Sequence, residues 1–345
     1  KYRSLLHDGV QGLLLTSRYS RMYAAEFDIA EGVAVVSAQG ARYFTDSRYI
    51  ESAQKNLKGF EVVEIGLNNP MMQALKTTLD EFGVETIGFE DEYLTVAELN
   101  GFEAALPVKF VPLQKEINAF RASKEDWELA RMRKAQEITD RAFTEVCTRI
   151  HTGMTEKELE AELIYCLYKN GAEGLSFDPI VVSGPNTSMP HGVAGSRVLQ
   201  DGDFVTMDFG VLYQGYCSDM TRTLLVNGEG VSAESHPLFN VYQIVLQAQL
   251  AAISAIRPGV RCQQVDDAGL RQSLQQHLPA GGTEGFTHPE LFSPFQETRH
   301  HQVQRIDPAC QQQGNRHHRK DIHGGTAAFR LLLIRLLRSQ VNIFQ

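Results

Sequence analysis

Two aspartates, Asp208 and Asp219, stand eleven residues apart in a stretch from Asp203 to Thr223 that alternates apolar and polar side chains around Tyr213, Gln214 and Gly215. A period of two interrupted by a glycine-containing turn reads as a β-hairpin. With the reversal centred on those residues, the two aspartates become directly opposed cross-strand neighbours. Opposed side chains hold their Cβ atoms about 4.5–5.5 Å apart, and like charges that close destabilise the ladder unless a cation or a shared proton neutralises them. A divalent metal is the simplest neutraliser; a solvated hairpin with scattered acids is the alternative.

The rest of the chain narrows what such a hairpin serves. A formal net charge of −9 argues against nucleic acid and anionic membranes as partners, since both require a basic face. Five widely spaced cysteines without a Cys-x-x-Cys pair signal neither a disulfide framework nor a zinc knuckle, and a cytoplasmic setting is expected. No apolar run of about 18 residues and no charged start with an apolar core is present, so neither a membrane span nor a signal peptide is expected. The start at Lys1 reads as trimmed.

Three regions are expected. Residues 1–118 alternate strand-like runs (Gly12–Ser17, Gly32–Ser37, Arg42–Thr45, Phe60–Gly66, Thr86–Glu90, Val108–Leu113) with helical stretches, among them Met71–Phe82, and form an α/β domain without a glycine-rich phosphate loop. Residues 119–280 open with a long amphipathic helix capped by Ser123, and continue with a helix capped at Thr155–Glu158 and a strand over Phe177–Ser183. Ile150–Gly153 recurs as Ile256–Gly259, 106 positions later, each between two helices. A duplicated unit would place a second hairpin facing the first. The equivalent positions are Gly314 and Gly325, in a segment with neither strand alternation nor paired acids. Residues 281–345 hold six of the eleven histidines and eight Lys/Arg against five Asp/Glu. That change of character reads as an atypical tail such as a shifted reading frame produces; its last part, Ala327–Gln345, is amphipathic or merely apolar.

The run from Phe177 to Gly192, with Pro190-His191-Gly192 at its end, then Asp203, Asp208-Phe-Gly, Ser218-Asp219 and Thr221-Arg-Thr223, closely resembles the Xaa-Pro aminopeptidase and prolidase branch of the M24 metallopeptidases. Gly32–Val36 and Phe44–Tyr49 are similar to the creatinase/prolidase N-terminal domain. The resemblance implies an α/β creatinase-like N-terminal domain followed by an α+β "pita-bread" domain, incomplete in its second half. It implies two divalent ions, manganese first and cobalt or zinc as alternatives, with Asp208 and Asp219 as ligands, and hard carboxylate oxygens suit manganese. Paired ions lower the pKa of a bridging water and polarise the scissile carbonyl. His191 matches the catalytic, substrate-binding histidine, and Phe177 would line the pocket. Thr221 shares the face of Asp219 by the two-residue period and would orient a ligand. For each of these three a purely structural role is the alternative. A proline-containing peptide or dipeptide is the implied substrate and a homodimer the implied assembly.

The family site also carries a histidine in a Gly-His-Gly-x-Gly-His segment and glutamates in Glu-Pro-Gly and Arg-x-Glu-Asp. None occurs after Gly269, and Glu284, Glu290 and Glu297 stand in other contexts. Weak metal retention and impaired turnover are therefore expected. Two classes stay open: a metal-dependent exopeptidase for X-Pro bonds, and a non-catalytic pita-bread module that binds peptides or proteins, or a defective gene product.

Overall fold

In the first third of the chain the apolar runs become strands where the sequence places them. The computed structural model describes residues 2–7, 9–226 and 236–277, which divide into two compact units between Lys124 and Glu125. In the first unit, β1 (Gly12–Leu15), β2 (Val33–Ser37), β3 (Ala41–Thr45), β4 (Glu61–Glu64), β5 (Thr86–Phe89) and β6 (Lys109–Pro112) form one mixed sheet in the order β4-β3-β2-β1-β5-β6. Every residue of β1 and β2 is buried, as expected of central strands covered on both faces. Helices α1 (Arg18–Ala25), α2 (Ile50–Asn56), α3 (Met71–Phe82), α4 (Val96–Ala105) and α5 (Gln114–Ala122) connect them. Leu75 and Leu79 of α3 pack with Leu14, Val35, Phe44 and Ile87, and Gly83 (φ 63°) closes the helix in the left-handed conformation that costs glycine least.

The second unit opens with α6 (Asp126–Cys147). Its cap is Glu125, not Ser123: the Glu125 N–H donates to Glu128 Oε2 at 2.9 Å, while Ser123 already closes α5, a helix the sequence reading lacked. Helix α7 (Glu156–Lys169) begins as expected, with a reciprocal capping box between Thr155 and Glu158. Against α6 and α7 lie β7 (Gly174–Leu175), β8 (Ile180–Ser183), β9 (Phe204–Phe209), β10 (Val211–Tyr213), β11 (Tyr216–Cys217) and β12 (Met220–Leu225). They make two three-stranded sheets, β11-β10-β7 and β12-β9-β8. Ala135, Ile138, Leu159 and Leu163 from the helices meet Val205, Met207 and Phe209 from β9 in one core.

Helices α8 (Phe239–Ala255) and α9 (Cys262–His277) follow. Gly153 (φ 98°) turns the chain from α6 into α7, and Gly259 (φ 80°) turns it from α8 into α9, so the helix, glycine corner, helix pattern recurs. The expected second hairpin around Gly314 and Gly325, the tail 281–345 and its Ala327–Gln345 segment lie outside the described residues.

Candidate metal and substrate site on the β9–β12 hairpin

The hairpin exists, but its register differs from the directly opposed arrangement. The reversal is a two-residue turn, Gln214 (φ 46°) and Gly215 (φ 80°), both left-handed as a turn matching the strand twist requires. It pairs Tyr213 with Tyr216 and Leu212 with Cys217, and further down the same register pairs Phe209 with Met220 and Asp208 with Thr221. The turn therefore falls one residue later than opposition of the aspartates demands, and every partner moves by two. Asp208 faces Thr221; Asp219 stands just before β12, where the ladder is interrupted between the two sheets. Continuing the register by one step would set Asp219 diagonal to Asp208, which in a regular ladder separates Cα atoms by about 7–8 Å. Their repulsion is correspondingly milder than direct opposition implies.

At Gly210, where the ladder is interrupted, the strands approach so closely that only glycine fits. A Cβ on Gly210 would overlap the Ser218 carbonyl oxygen and the Ser176 hydroxyl, and backbone cannot yield as a side-chain tip can. Ser218 Oγ accepts from the Val211 N–H at 2.9 Å and lies 2.6 Å from Thr139 Oγ1 of α6. The pinch is thus bolted to the helix layer. Asp208 is 6% exposed, and Thr221, its rung partner, donates Oγ1–H to Asp208 Oδ1 at 2.9 Å. Ile180 of β8 occupies the other side of Asp208. Asp219 Oδ1 is buried as well. Arg222, the next residue after Thr221, is also buried, and desolvation holds its guanidinium below the ordinary arginine value; it stacks over Phe143 of α6 at 5.6 Å.

Phe177 does not sit in a strand as expected. Leu175 pairs with Val211 and Ile180 with Asp208, so four residues from Ser176 to Pro179 span the space of two on the partner strand. The surplus is a bulge, a device that re-aims side chains beside functional sites. Ser176 N–H still reaches Gly210 O at 3.2 Å, and the half-buried Phe177 follows directly in the bulge. Asp208 and Thr221 thus come together, Asp219 precedes Thr221 by two residues, and Phe177 lies in the neighbouring bulge. His191 lies on the exposed loop that leaves β8, linked to the hairpin through that loop's anchors rather than through the ladder.

Sequence reasoning missed one member of this region, Glu156. It is 1% exposed. Its Oε1 accepts from Ser183 N–H at 2.7 Å, Ser183 Oγ–H at 2.8 Å and Asn186 Nδ2 at 3.0 Å, and its Oε2 from Gly195 N–H at 3.1 Å. An acid in a first helical turn ordinarily faces solvent and favours the helix dipole, so nothing local marked it.

The donor set can be weighed against a metal centre. Two carboxylates on one hairpin, one of them oriented by a hydroxyl, are the oxygen donors a hard divalent cation takes. Among the described residues, however, no group of three or more His, Cys, Asp or Glu side chains converges on a point. The described residues alone do not fit a two-ion centre.

Comparison with known proteins agrees with this architecture. Residues 130–303 match the model of metallopeptidase family M24, and residues 3–123 that of the creatinase/prolidase N-terminal domain. The "Uncharacterized peptidase YqhT" of Bacillus subtilis is 35% identical over 259 residues, covering 75% of this chain and 71% of its own length. The solved Xaa-Pro dipeptidase from Bacillus anthracis superposes with a TM-score of 0.71 at 36% identity, over 78% of this chain and 74% of that one. The X-Pro aminopeptidase from Thermotoga maritima gives 0.73 at 32% identity, over 78% and 76%. An aspartate on each arm of one hairpin, a histidine loop leaving the neighbouring strand and a separate α/β unit ahead of them are accounted for together: the chain belongs to metallopeptidase family M24, with a creatinase-type N-terminal domain followed by a pita-bread domain.

Proposed function

We propose that this chain is, by lineage, a metal-dependent exopeptidase that cleaves X-Pro bonds at the N-termini of proline-containing peptides or dipeptides, in the cytoplasm and as a homodimer. The observation that carries this reading is the buried Asp208–Thr221 rung of the hairpin, with Asp219 two residues before Thr221 on the returning arm. In it, Asp208 and Asp219 are the metal ligands, manganese being preferred over cobalt or zinc by donor hardness. Thr221 fixes the rotamer of Asp208 through its hydrogen bond and leaves the second oxygen directed elsewhere. Phe177 lines the substrate pocket from its bulge, and His191 hydrogen-bonds the substrate.

A second reading, a pita-bread module that binds peptides or proteins without cleaving them, or a defective gene product, is favoured by one observation: the described residues supply only two carboxylates to the site. Metal analysis after dialysis against manganese, paired with an X-Pro dipeptide hydrolysis assay, separates the readings. About two tightly held ions per chain with turnover support the exopeptidase. No retained metal and no turnover, with peptide binding preserved, support the module.

A further inference from the structure

We propose that Glu156 is a positioning residue for His191, setting where that side chain stands by holding both ends of its loop with one buried carboxylate. This rests on the reading of His191 as the histidine that meets the substrate.

The loop leaves β8 at Ser183 and returns to α7 at Gly195, and both points are bound by Glu156, one on each carboxylate oxygen. His191 lies between them. Backbone bonds reinforce the return: Glu156 N–H donates to Arg197 O at 3.0 Å and Lys157 N–H to Gly195 O at 3.1 Å. Arg197 then reaches back to the departure point, donating to Ser183 Oγ at 2.6 Å, and grips Asp203 through two nitrogens at 2.6 and 2.9 Å. Between the anchors lie a short 3-10 helix, Gly184–Ser188, and the loop's own turns, Met189 N–H to Asn186 O and Gly192 N–H to Met189 O. Gly192 presses on β8, where a Cβ would stand 2.6 Å from Val182 Cγ1. Val182 is two residues from Ile180, the rung neighbour of Asp208.

Helix capping does not account for this carboxylate. The first turn of α7 is already satisfied by the reciprocal pair of Thr155 and Glu158, and the neighbouring Lys157 and Glu158 are exposed as first-turn residues ordinarily are. Glu156 alone turns inward, and each of its four acceptor contacts goes to the His191 loop or to the serine from which that loop departs. A buried carboxylate so spent fixes a position; it adds nothing the helix lacks.

Glu156→Gln tests the proposal in the full chain. It keeps the shape but sets an amide NH2 against one of the donors. Hydrogen–deuterium exchange over residues 184–196 should accelerate about 10-fold or more, with α6 and the β9–β12 hairpin unchanged. In X-Pro dipeptide hydrolysis, the substitution should lower kcat/KM roughly 10- to 100-fold in the wild-type background and less than about 3-fold in a His191→Gln background, because a residue acting through His191 has nothing left to position. Unchanged exchange in the loop, or an equal loss in both backgrounds, overturns the proposal. Should Glu156→Gln fail to fold, Asn186→Ala removes one Oε1 donor and carries the same comparison with a smaller loosening. A wild-type chain without X-Pro turnover overturns the peptidase reading instead, and the exchange measurement then decides the positioning alone.

Discussion

Each unit of the molecule contains a buried glutamate that gathers backbone amides and a serine hydroxyl, and the two do different work. In the first unit Glu90, fully buried, accepts from Thr16 N–H at 2.7 Å, Ser17 N–H at 2.8 Å and Ser17 Oγ–H at 2.5 Å. Ser17 is the N-cap of α1, so Glu90 locks a helix start to the end of β5. In the second unit Glu156 uses the same chemistry on a loop that bears an exposed histidine. The two share backbone amides and a serine hydroxyl as donors, Glu156 adding Asn186 Nδ2; what is attached separates scaffold from proposed site. Burial of a carboxylate is therefore not by itself a mark of function, whereas the identity of the segment it holds is.

The largest effect that can test this contrast lies in two glycines. In the first unit a Cβ on Gly88 would meet the tips of Leu113 and Leu13 at 2.9 and 3.0 Å, which can shift, so Gly88→Ala should cost about 1–3 kcal/mol. Gly210→Ala meets backbone in the hairpin, and should destabilise the second unit by about 4 kcal/mol or more. Urea unfolding read by Trp127, the chain's single tryptophan, reports on the second unit; retention of its wild-type midpoint in Gly210→Ala would refute the pinched geometry.

Next come the glutamates themselves. Glu90→Gln and Glu156→Gln each leave buried donors poorly matched and should each lower stability by about 1–3 kcal/mol. Only the second should alter peptide hydrolysis or peptide binding. Comparable functional loss from both, in circular dichroism-matched samples, would erase the distinction drawn between scaffold and site.

A pH effect separates the units more finely. Burial tends to raise the Asp203 carboxyl, but the Arg197 guanidinium and the Gln200 N–H together hold it below the usual aspartate value. A carboxyl depressed in the folded state contributes stability that is complete above the unfolded value near pH 4 and lost as pH falls through the folded value. Asp203→Asn should therefore lower stability at pH 7 by about 1–2 kcal/mol, an Arg-bound carboxylate being a charged acceptor, and flatten the acid limb of the pH–stability curve. In the first unit Asp46 is also depressed, by its hydrogen bond to Arg48, but that pair stands in solvent, and Asp46→Asn should leave the midpoint unmoved. A comparably small stability change is expected in His191→Gln, within about 0.5 kcal/mol because the side chain is exposed, yet X-Pro kcat/KM should fall about 100-fold to a residual, measurable rate. Full turnover in that variant would remove His191 from the site.

Much of the fold was legible from side-chain periodicity. All six strands of the first sheet, the helix Met71–Phe82 and the Thr155–Glu158 cap stand where the residues place them, because amphipathic period and capping chemistry act over a few neighbours. The Ser123 cap failed for a local reason with a non-local consequence: another helix had already claimed that serine.

The sequence by itself determined that a hairpin would carry an acid on each arm, since alternation has a strict period of two and a glycine near its midpoint marks the reversal. Only the tertiary structure decided their register. Left-handed conformations at Gln214 and Gly215 choose a two-residue turn, and the contact of Ser218 with Thr139 of α6 holds that choice from 79 residues away. The bulge at Phe177 and the inward turn of Glu156 belong to the same class. Each depends on partners brought close by the fold, and no pattern along the chain encodes which carboxylate will find itself surrounded by amide donors.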